Sequence, residues 1–177
     1  MPRTKTEFLI IHCSATRPSQ DITIRTIDKW HRNRGFLRVG YHAVITRQNG
    51  EIQKGRELQD TGAHAKKYNH NSIGCCLIGG VTEDDINIPE SNFTDAQWSS
   101  LKKYVTAIQG IFPDIKVIGH NEVSSKACPS FNVQEWLVKE GFKKPPRITT
   151  KEEKELLEKT REKYREEERA KYKKKDE

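Results

Sequence analysis

The sequence predicts an α/β protein with a single domain built around a central sheet of mixed strand direction. Short apolar segments with strand character alternate with segments of helical periodicity along the first 142 of the 177 residues, which is typical of a sheet flanked by helices. The segment Gln48-Asn49-Gly50-Glu51 joins two of the strands, and Asn-Gly is a strong signal for a tight hairpin. Because a hairpin requires an antiparallel pair, the sheet is expected to be mixed.

Five strands are predicted from apolar segments of suitable length. The first ends at His12, and the last leads directly to His120. The predicted strands span residues 7–12, 41–46, 52–55, 72–78 and 116–119.

The first segment with helical periodicity follows the predicted loop at residues 16–19. A helix is predicted there that ends at Gly35, because glycine commonly terminates helices. A short helix is also predicted near the end of the domain, over residues 133–139. The apolar face of the first helix is expected to carry Ile24, Ile27, Trp30 and His31.

The helix predicted after Thr94 has the clearest start signal. Thr94 and Gln97 have the spacing of a capping box, and Phe93 and Trp98 occupy the two positions of a hydrophobic staple. The apolar face is expected to continue through Leu101, Tyr104, Val105 and Ile108.

The C-terminal segment, residues 143–177, differs from the rest in composition. It holds 14 Lys and Arg against 10 Asp and Glu, so it carries +4 of the net charge of +7. It has only six apolar residues, too few to form a core. We therefore expect residues 1–142 to fold as the domain, and residues 143–177 to form a charged, helical or flexible extension. Pro145-Pro146 separates the two parts, and Thr150 and Glu153 form a second capping box.

The composition also excludes several classes of protein. No segment approaches the roughly 20 apolar residues of a membrane helix, and the apolar stretch near the N-terminus is too short for a signal peptide. We therefore expect the chain to remain in the cytoplasm unless something else releases it, where disulfides are disfavoured. Cys75 and Cys76 are adjacent in a strand, so they should face opposite sides as small buried residues. The basic residues of the tail alternate with acidic ones and lack stacking aromatics, which argues against direct nucleic-acid binding.

Three residues that are distant in sequence form a candidate metal site. His12 and His120 each follow an apolar strand, and Cys128 lies in a loop eight residues after His120. Two imidazoles and a thiolate leave the fourth position of a tetrahedral zinc open, as in catalytic zinc sites. Spacing alone leaves open that each histidine is a structural residue at a strand end.

The segments around these residues resemble the zinc-dependent type 2 N-acetylmuramoyl-L-alanine amidases, which are related to the peptidoglycan-recognition proteins. The likeness is greatest to the short phage amidases that act as endolysins, and it runs from about residue 8 to residue 142. It rests on several separate motifs: His12-Cys13-Ser14-Ala15-Thr16, Val39-Gly40-Tyr41-His42, Asn69-His70-Asn71-Ser72-Ile73-Gly74, Gly119-His120-Asn121-Glu122-Val123 and Lys126-Ala127-Cys128-Pro129-Ser130-Phe131.

The resemblance implies a mixed sheet flanked by helices, with one zinc ion per chain in a surface cleft. It implies His12, His120 and Cys128 as the zinc ligands, and Tyr41 and Lys126 as catalytic residues. Zinc lowers the pKa of bound water to about 7, which provides a nucleophile at neutral pH. A cation such as Lys126 would stabilise the developing oxyanion, an effect of roughly 3–4 kcal/mol for one well-placed donor.

Other polar residues near these motifs are candidates for supporting roles. His64 lies in a predicted loop, and matching positions in the family line the substrate cleft, so it is a candidate substrate-binding residue. Glu122 is either a partner of a metal ligand or a plain surface acid, and the sequence leaves this open. Structural roles are expected for His31, His42 and His70.

The resemblance implies an enzyme that cleaves the amide bond between N-acetylmuramic acid and L-alanine in peptidoglycan. In a phage context it would be an endolysin. It would be made in the cytoplasm of the infected host and would reach the cell wall after membrane permeabilisation. A peptidoglycan-binding module is the alternative, but relatives that only bind characteristically lack the cysteine ligand, and Cys128 is present. The resemblance to the short phage amidases also implies a third alternative, a regulatory protein that binds and inhibits the phage RNA polymerase. We expect a monomer that binds peptidoglycan and does not insert into membranes.

Overall fold

Five strands form one mixed sheet in the part of the chain that the structure describes. The computed structural model describes residue 3 and residues 5–142. The strand order is β3-β2-β4-β1-β5. Only β2 and β3 pair antiparallel, and the other three pairs are parallel, which confirms the mixed sheet. The strands are β1 (Phe8–Cys13), β2 (Ala43–Ile45), β3 (Ile52–Lys54), β4 (Ser72–Leu77) and β5 (Lys116–Gly119).

Helices cover both faces of this sheet. Ile27 of the first helix shares a core cluster with Val44 and Cys76 on one face. On the other face, Cys75 lies near Tyr104 of the second helix. The two adjacent cysteines are fully buried and face opposite sides, as predicted. Within the described residues the helices are α1 (Ile24–Asn33), α2 (Asp95–Ile111) and α3 (Val133–Lys139), with a 3₁₀ turn at His120–Glu122.

Two details of the prediction are wrong. Trp30 was expected on the apolar face of α1 but is 37% exposed, whereas Ile27 and His31 are buried, because the buried face is narrow and Trp30 lies at its edge. The second strand begins at Ala43 rather than at Tyr41. The reason is that the consecutive N–H groups of Gly55 and Arg56 donate to the consecutive carbonyls of His42 and Tyr41, which departs from the alternating hydrogen bonds of an antiparallel pair.

The start of α2 is formed as the sequence predicts. The Thr94 hydroxyl accepts a hydrogen bond from the Gln97 N–H at 3.3 Å, and the Gln97 side chain accepts one from the Thr94 N–H at 3.1 Å. The rings of Phe93 and Trp98 lie 5.3 Å apart. The Gln97 amide also donates to backbone carbonyls at the ends of β2 and β4. This buried side chain therefore joins the helix to the sheet.

Among the described residues, no helix is long and apolar enough to cross a membrane. The charged extension at residues 143–177, with its second capping box, lies outside the described residues, so its helical or flexible state and the domain boundary after residue 142 stay predictions.

His42 is a buried histidine that must be neutral in the folded protein. Its Nδ1 accepts a hydrogen bond from the Gly74 N–H at 2.9 Å, and its Nε2 donates to the Asp60 carbonyl at 3.0 Å. Protonation at Nδ1 would break the first of these bonds. Burial lowers the pKa of His42 from 6.5 to about 4, and the neighbouring Arg3 guanidinium contributes to the decrease.

We expect the free energy of unfolding to fall as pH is lowered from about 6.5 to about 4. In that window the unfolded chain binds a proton at His42 and the folded chain does not. The stability that neutral His42 contributes is therefore fully present above about pH 6.5 and is lost progressively as the pH falls to about 4. A pKa difference of this size corresponds to about 3 kcal/mol. Urea unfolding at pH 7, 6, 5 and 4, with NMR titration of the histidine rings, measures the effect. A native His42 that titrates near pH 6.5 would contradict it.

Candidate active site with a metal-ligand cluster

The register of the parallel strands brings two histidines together at one edge of the sheet. Ile11 of β1 pairs with Gly119 of β5, and the residues that directly follow these two are His12 and His120. Their ring centroids lie 4.5 Å apart. The carboxyl ends of parallel strands meet at the same edge, which is where α/β proteins place ligand sites.

The loop that carries Cys128 is fastened to the same edge. The Cys13 N–H donates to the Cys128 sulfur at 3.2 Å, and the Ser130 hydroxyl donates to the Gly80 carbonyl at 2.7 Å. Gly80 has a φ of +100°, and a Cβ there would lie 2.6 Å from the Cys13 sulfur. A glycine is therefore required at position 80 for the close approach of these segments.

The donor atoms of His12, His120 and Cys128 fit a zinc ion. They all lie within 4.8 Å of one another, and His12 Nδ1 is 3.8 Å from Cys128 Sγ. With bond lengths of about 2.1 Å to nitrogen and about 2.3 Å to sulfur, two such ligands of a tetrahedral zinc lie about 3.6 Å apart. The Nδ1 atom of His120 is buried and has no hydrogen-bond partner among the described residues, so it is available to a metal.

Electrostatics keep the two imidazoles neutral, which is the form that binds metals. Burial lowers the pKa of His12 well below its ordinary value, and His64 and His120 lower it further. Burial and the Lys126 ammonium likewise lower the pKa of His120. The neighbouring Cys13 thiol and burial raise the pKa of Cys128, so the thiol keeps its proton until a cation replaces it.

Tyr41 and Lys126 lie next to this cluster. The Tyr41 ring is 5.1 Å from the His12 ring, and burial raises the pKa of the Tyr41 hydroxyl well above its ordinary value. The phenol is therefore a neutral hydrogen-bond donor. Lys126 is exposed on the loop, two residues before Cys128, and its charge is close enough to lower the pKa of both histidines. The structure thus brings all five predicted site residues together.

His64 contacts the cluster directly, which the sequence did not reveal. Its Nδ1 atom lies 2.9 Å from His12 Nε2, although the two residues are 52 positions apart. The His64 ring lies beside two glycines, since a Cβ at Gly62 or at Gly74 would lie 2.5 Å from it, but glycines alone do not indicate such a contact in the sequence. A role for His64 in substrate binding stays a prediction.

Glu122 supports the turn that carries His120. One carboxylate oxygen accepts a hydrogen bond from the Gly119 N–H at 2.7 Å. The Gln134 side chain of α3 donates to both carboxylate oxygens at 3.2 Å. Glu122 therefore acts through the backbone and fastens the turn to α3, an arrangement that spacing alone left undecided.

Comparison with known proteins identifies the class of enzyme. A family model described as N-acetylmuramoyl-L-alanine amidase matches residues 2–131, so the chain belongs to this family. The enzyme class expected from the sequence is thereby confirmed.

Two curated relatives and one solved structure show how close the likeness is. The chain is 44% identical over 135 residues to the endolysin of Enterobacteria phage T3, and the alignment covers 76% of this chain and 87% of the relative. It is also 44% identical over 134 residues to the endolysin of Escherichia phage T7, with the same coverage. The N-acetylmuramoyl-L-alanine amidase LysC from Clostridium intestinale URNW matches with a TM-score of 0.65 at 25% identity, covering 78% of this chain and 87% of that one.

Replacement of Glu122 should loosen the turn that carries His120. Glu122→Ala removes the acceptor of the Gly119 N–H and the partner of Gln134, and we expect the free energy of unfolding to fall by about 1–3 kcal/mol. Glu57→Ala is the matched control, because Glu57 is an exposed acid paired with Lys54, and it should change stability by about 0.5 kcal/mol or less. Equal urea midpoints for the two variants would contradict the role of Glu122.

Proposed function

We propose that this protein is a zinc-dependent amidase that hydrolyses the bond between N-acetylmuramic acid and L-alanine in bacterial peptidoglycan. The observation that carries the proposal is the cluster of His12, His120 and Cys128, whose donor atoms lie within 4.8 Å of one another. The family to which the chain belongs supports the choice of bond.

The zinc would be held by Nδ1 of His12, Nδ1 of His120 and the sulfur of Cys128. When bound, zinc supplies a Lewis acid that polarises a carbonyl group and makes water a nucleophile near neutral pH. The hydrogen bond from the Cys13 N–H to the Cys128 sulfur favours the thiolate, the form of cysteine that binds metals.

Tyr41 and Lys126 would act on the substrate. The Lys126 ammonium stabilises negative charge on the oxygen of the attacked carbonyl, with an effect of roughly 3–4 kcal/mol for one well-placed donor. Tyr41 is held neutral beside His12, so its hydroxyl can donate a hydrogen bond at the reacting group or relay a proton to the departing amine.

We further propose that the enzyme serves a phage in host cell lysis. The relatives from phages T3 and T7 are named endolysins, and the alignments cover 87% of their length. The enzyme would accumulate in the cytoplasm of the infected host and reach the wall once a separate protein has permeabilised the membrane.

The reaction is tested by digestion of purified peptidoglycan with the full chain. We expect new amino termini on L-alanine without new reducing sugars. Chelation should abolish the activity and added zinc should restore it, because the ligands hold the metal reversibly. New reducing ends would identify a glycosidase and overturn the proposal. Full activity after verified removal of all metal would overturn its zinc dependence.

If Tyr41 and Lys126 act on the substrate, replacing either residue should reduce turnover without reducing zinc binding. Tyr41→Phe and Lys126→Ala should retain zinc and the fold, and Lys126→Ala should lower kcat by about 100–1,000-fold. A lost transition-state interaction lowers kcat more than it raises KM. Lys103→Ala, an exposed lysine on α2, is the control and should keep the wild-type rate. Near wild-type lysis by either site variant would remove that residue from the mechanism.

A further inference from the structure

The second ring nitrogen of His12 is not free. Its Nδ1 atom faces the metal-ligand cluster, 3.8 Å from the Cys128 sulfur. Its Nε2 atom lies 2.9 Å from Nδ1 of His64. A neutral imidazole carries one proton, so this contact determines which of the two His12 nitrogens has the lone pair.

A chain of hydrogen bonds fixes the direction of that contact. The Tyr68 carbonyl can only accept, and Ser72 Oγ lies 2.6 Å from it, so the Ser72 hydroxyl donates there. His64 Nε2 lies 3.4 Å from the same Ser72 oxygen and must supply the proton of that second contact. The Nδ1 atom of a neutral His64 is then an acceptor, and it receives the hydrogen bond from His12 Nε2.

This direction leaves the lone pair of His12 on Nδ1, where the cluster needs it. The opposite tautomer would point an N–H at the Cys128 sulfur and at any metal between them. Imidazole ligands bind metals through an unprotonated nitrogen, and a hydrogen bond from the other nitrogen selects that tautomer and orients the ring.

The His64 ring is itself held in place. A Cβ at Gly74 would lie 2.5 Å from its Cγ atom, and a Cβ at Gly62 would lie 2.5 Å from its Cδ2 atom, so the ring fills the space beside both glycines. The Asn69 side-chain oxygen accepts hydrogen bonds from the backbone N–H groups of His64 and Ala65, both at 2.8 Å. Backbone and ring are therefore both fixed.

We propose that His64 is a positioning residue that holds the metal ligand His12 in the tautomer and orientation required for zinc. The hydrogen bonds run from His12 through His64 and Ser72 to the Tyr68 carbonyl. The proposal rests on the proposed zinc site, and it assigns His64 a role that does not depend on contact with substrate.

The test compares zinc affinities of full-length variants by competition with a chelating dye. His64→Ala should weaken zinc binding by about 10–100-fold, the range typical for partners of metal ligands. His64→Asn should recover most of this loss, because its side-chain oxygen can accept near the position of Nδ1. His70→Ala replaces an exposed histidine and should bind zinc like the wild type. Cobalt substitution should show altered d–d bands for His64→Ala alone.

The outcomes separate this proposal from the one on which it rests. Zinc affinity and cobalt spectrum unchanged in His64→Ala, even with lower activity, would overturn the positioning role and leave the zinc enzyme standing. A wild-type chain that binds no zinc would overturn both. If His64→Ala does not fold, NMR of the imidazole nitrogens in the zinc-loaded wild type decides: a scalar coupling across a hydrogen bond between His12 Nε2 and His64 Nδ1 supports the proposal, and a proton on His64 Nδ1 overturns it.

Discussion

The parallel pairing of β1 with β5 is the constraint on which the candidate site depends. Because Ile11 is in register with Gly119, the histidines that follow them, His12 and His120, lie side by side at one edge of the sheet. A slip of one residue would turn every side chain of β1 to the opposite face and separate His12 from His120. Both faces of β1 are covered, since the adjacent residues Leu9 and Ile10 are fully inaccessible to solvent.

The hydrogen-bond partner of the Nδ1 atom distinguishes the structural histidines from the histidines of the candidate site. In His31 and His42, Nδ1 accepts a backbone N–H, from Gly40 and Gly74 respectively, so neither ring has a lone pair left for a ligand. In His120 the buried Nδ1 has no partner among the described residues, and in His12 it faces the cluster. Burial keeps all four rings neutral, but only the second pair is available to a metal.

Local sequence patterns predicted the helices and strands. The contacts that they did not predict join segments that are distant in sequence. The capping box at Thr94 and the Asn-Gly hairpin act over a few residues, so the sequence shows them directly. The contact of His64 with His12 spans 52 residues and depends on how two loops and a strand pack, which no local pattern encodes. Residue type alone would not have distinguished Tyr41 or Lys126 from other tyrosines and lysines. Their proposed roles rest on the resemblance to the amidase family, and the structure adds their proximity to the cluster.

We propose that the sheet edge holds one zinc ion through two imidazoles and one thiolate. X-ray absorption at the zinc edge of the purified full chain tests it most directly. We expect four-coordinate zinc with a single sulfur at about 2.3 Å and nitrogen or oxygen ligands at about 2.0–2.1 Å, including the multiple-scattering signature of two imidazoles. A zinc shell without sulfur, or with two or more sulfur ligands, would contradict it.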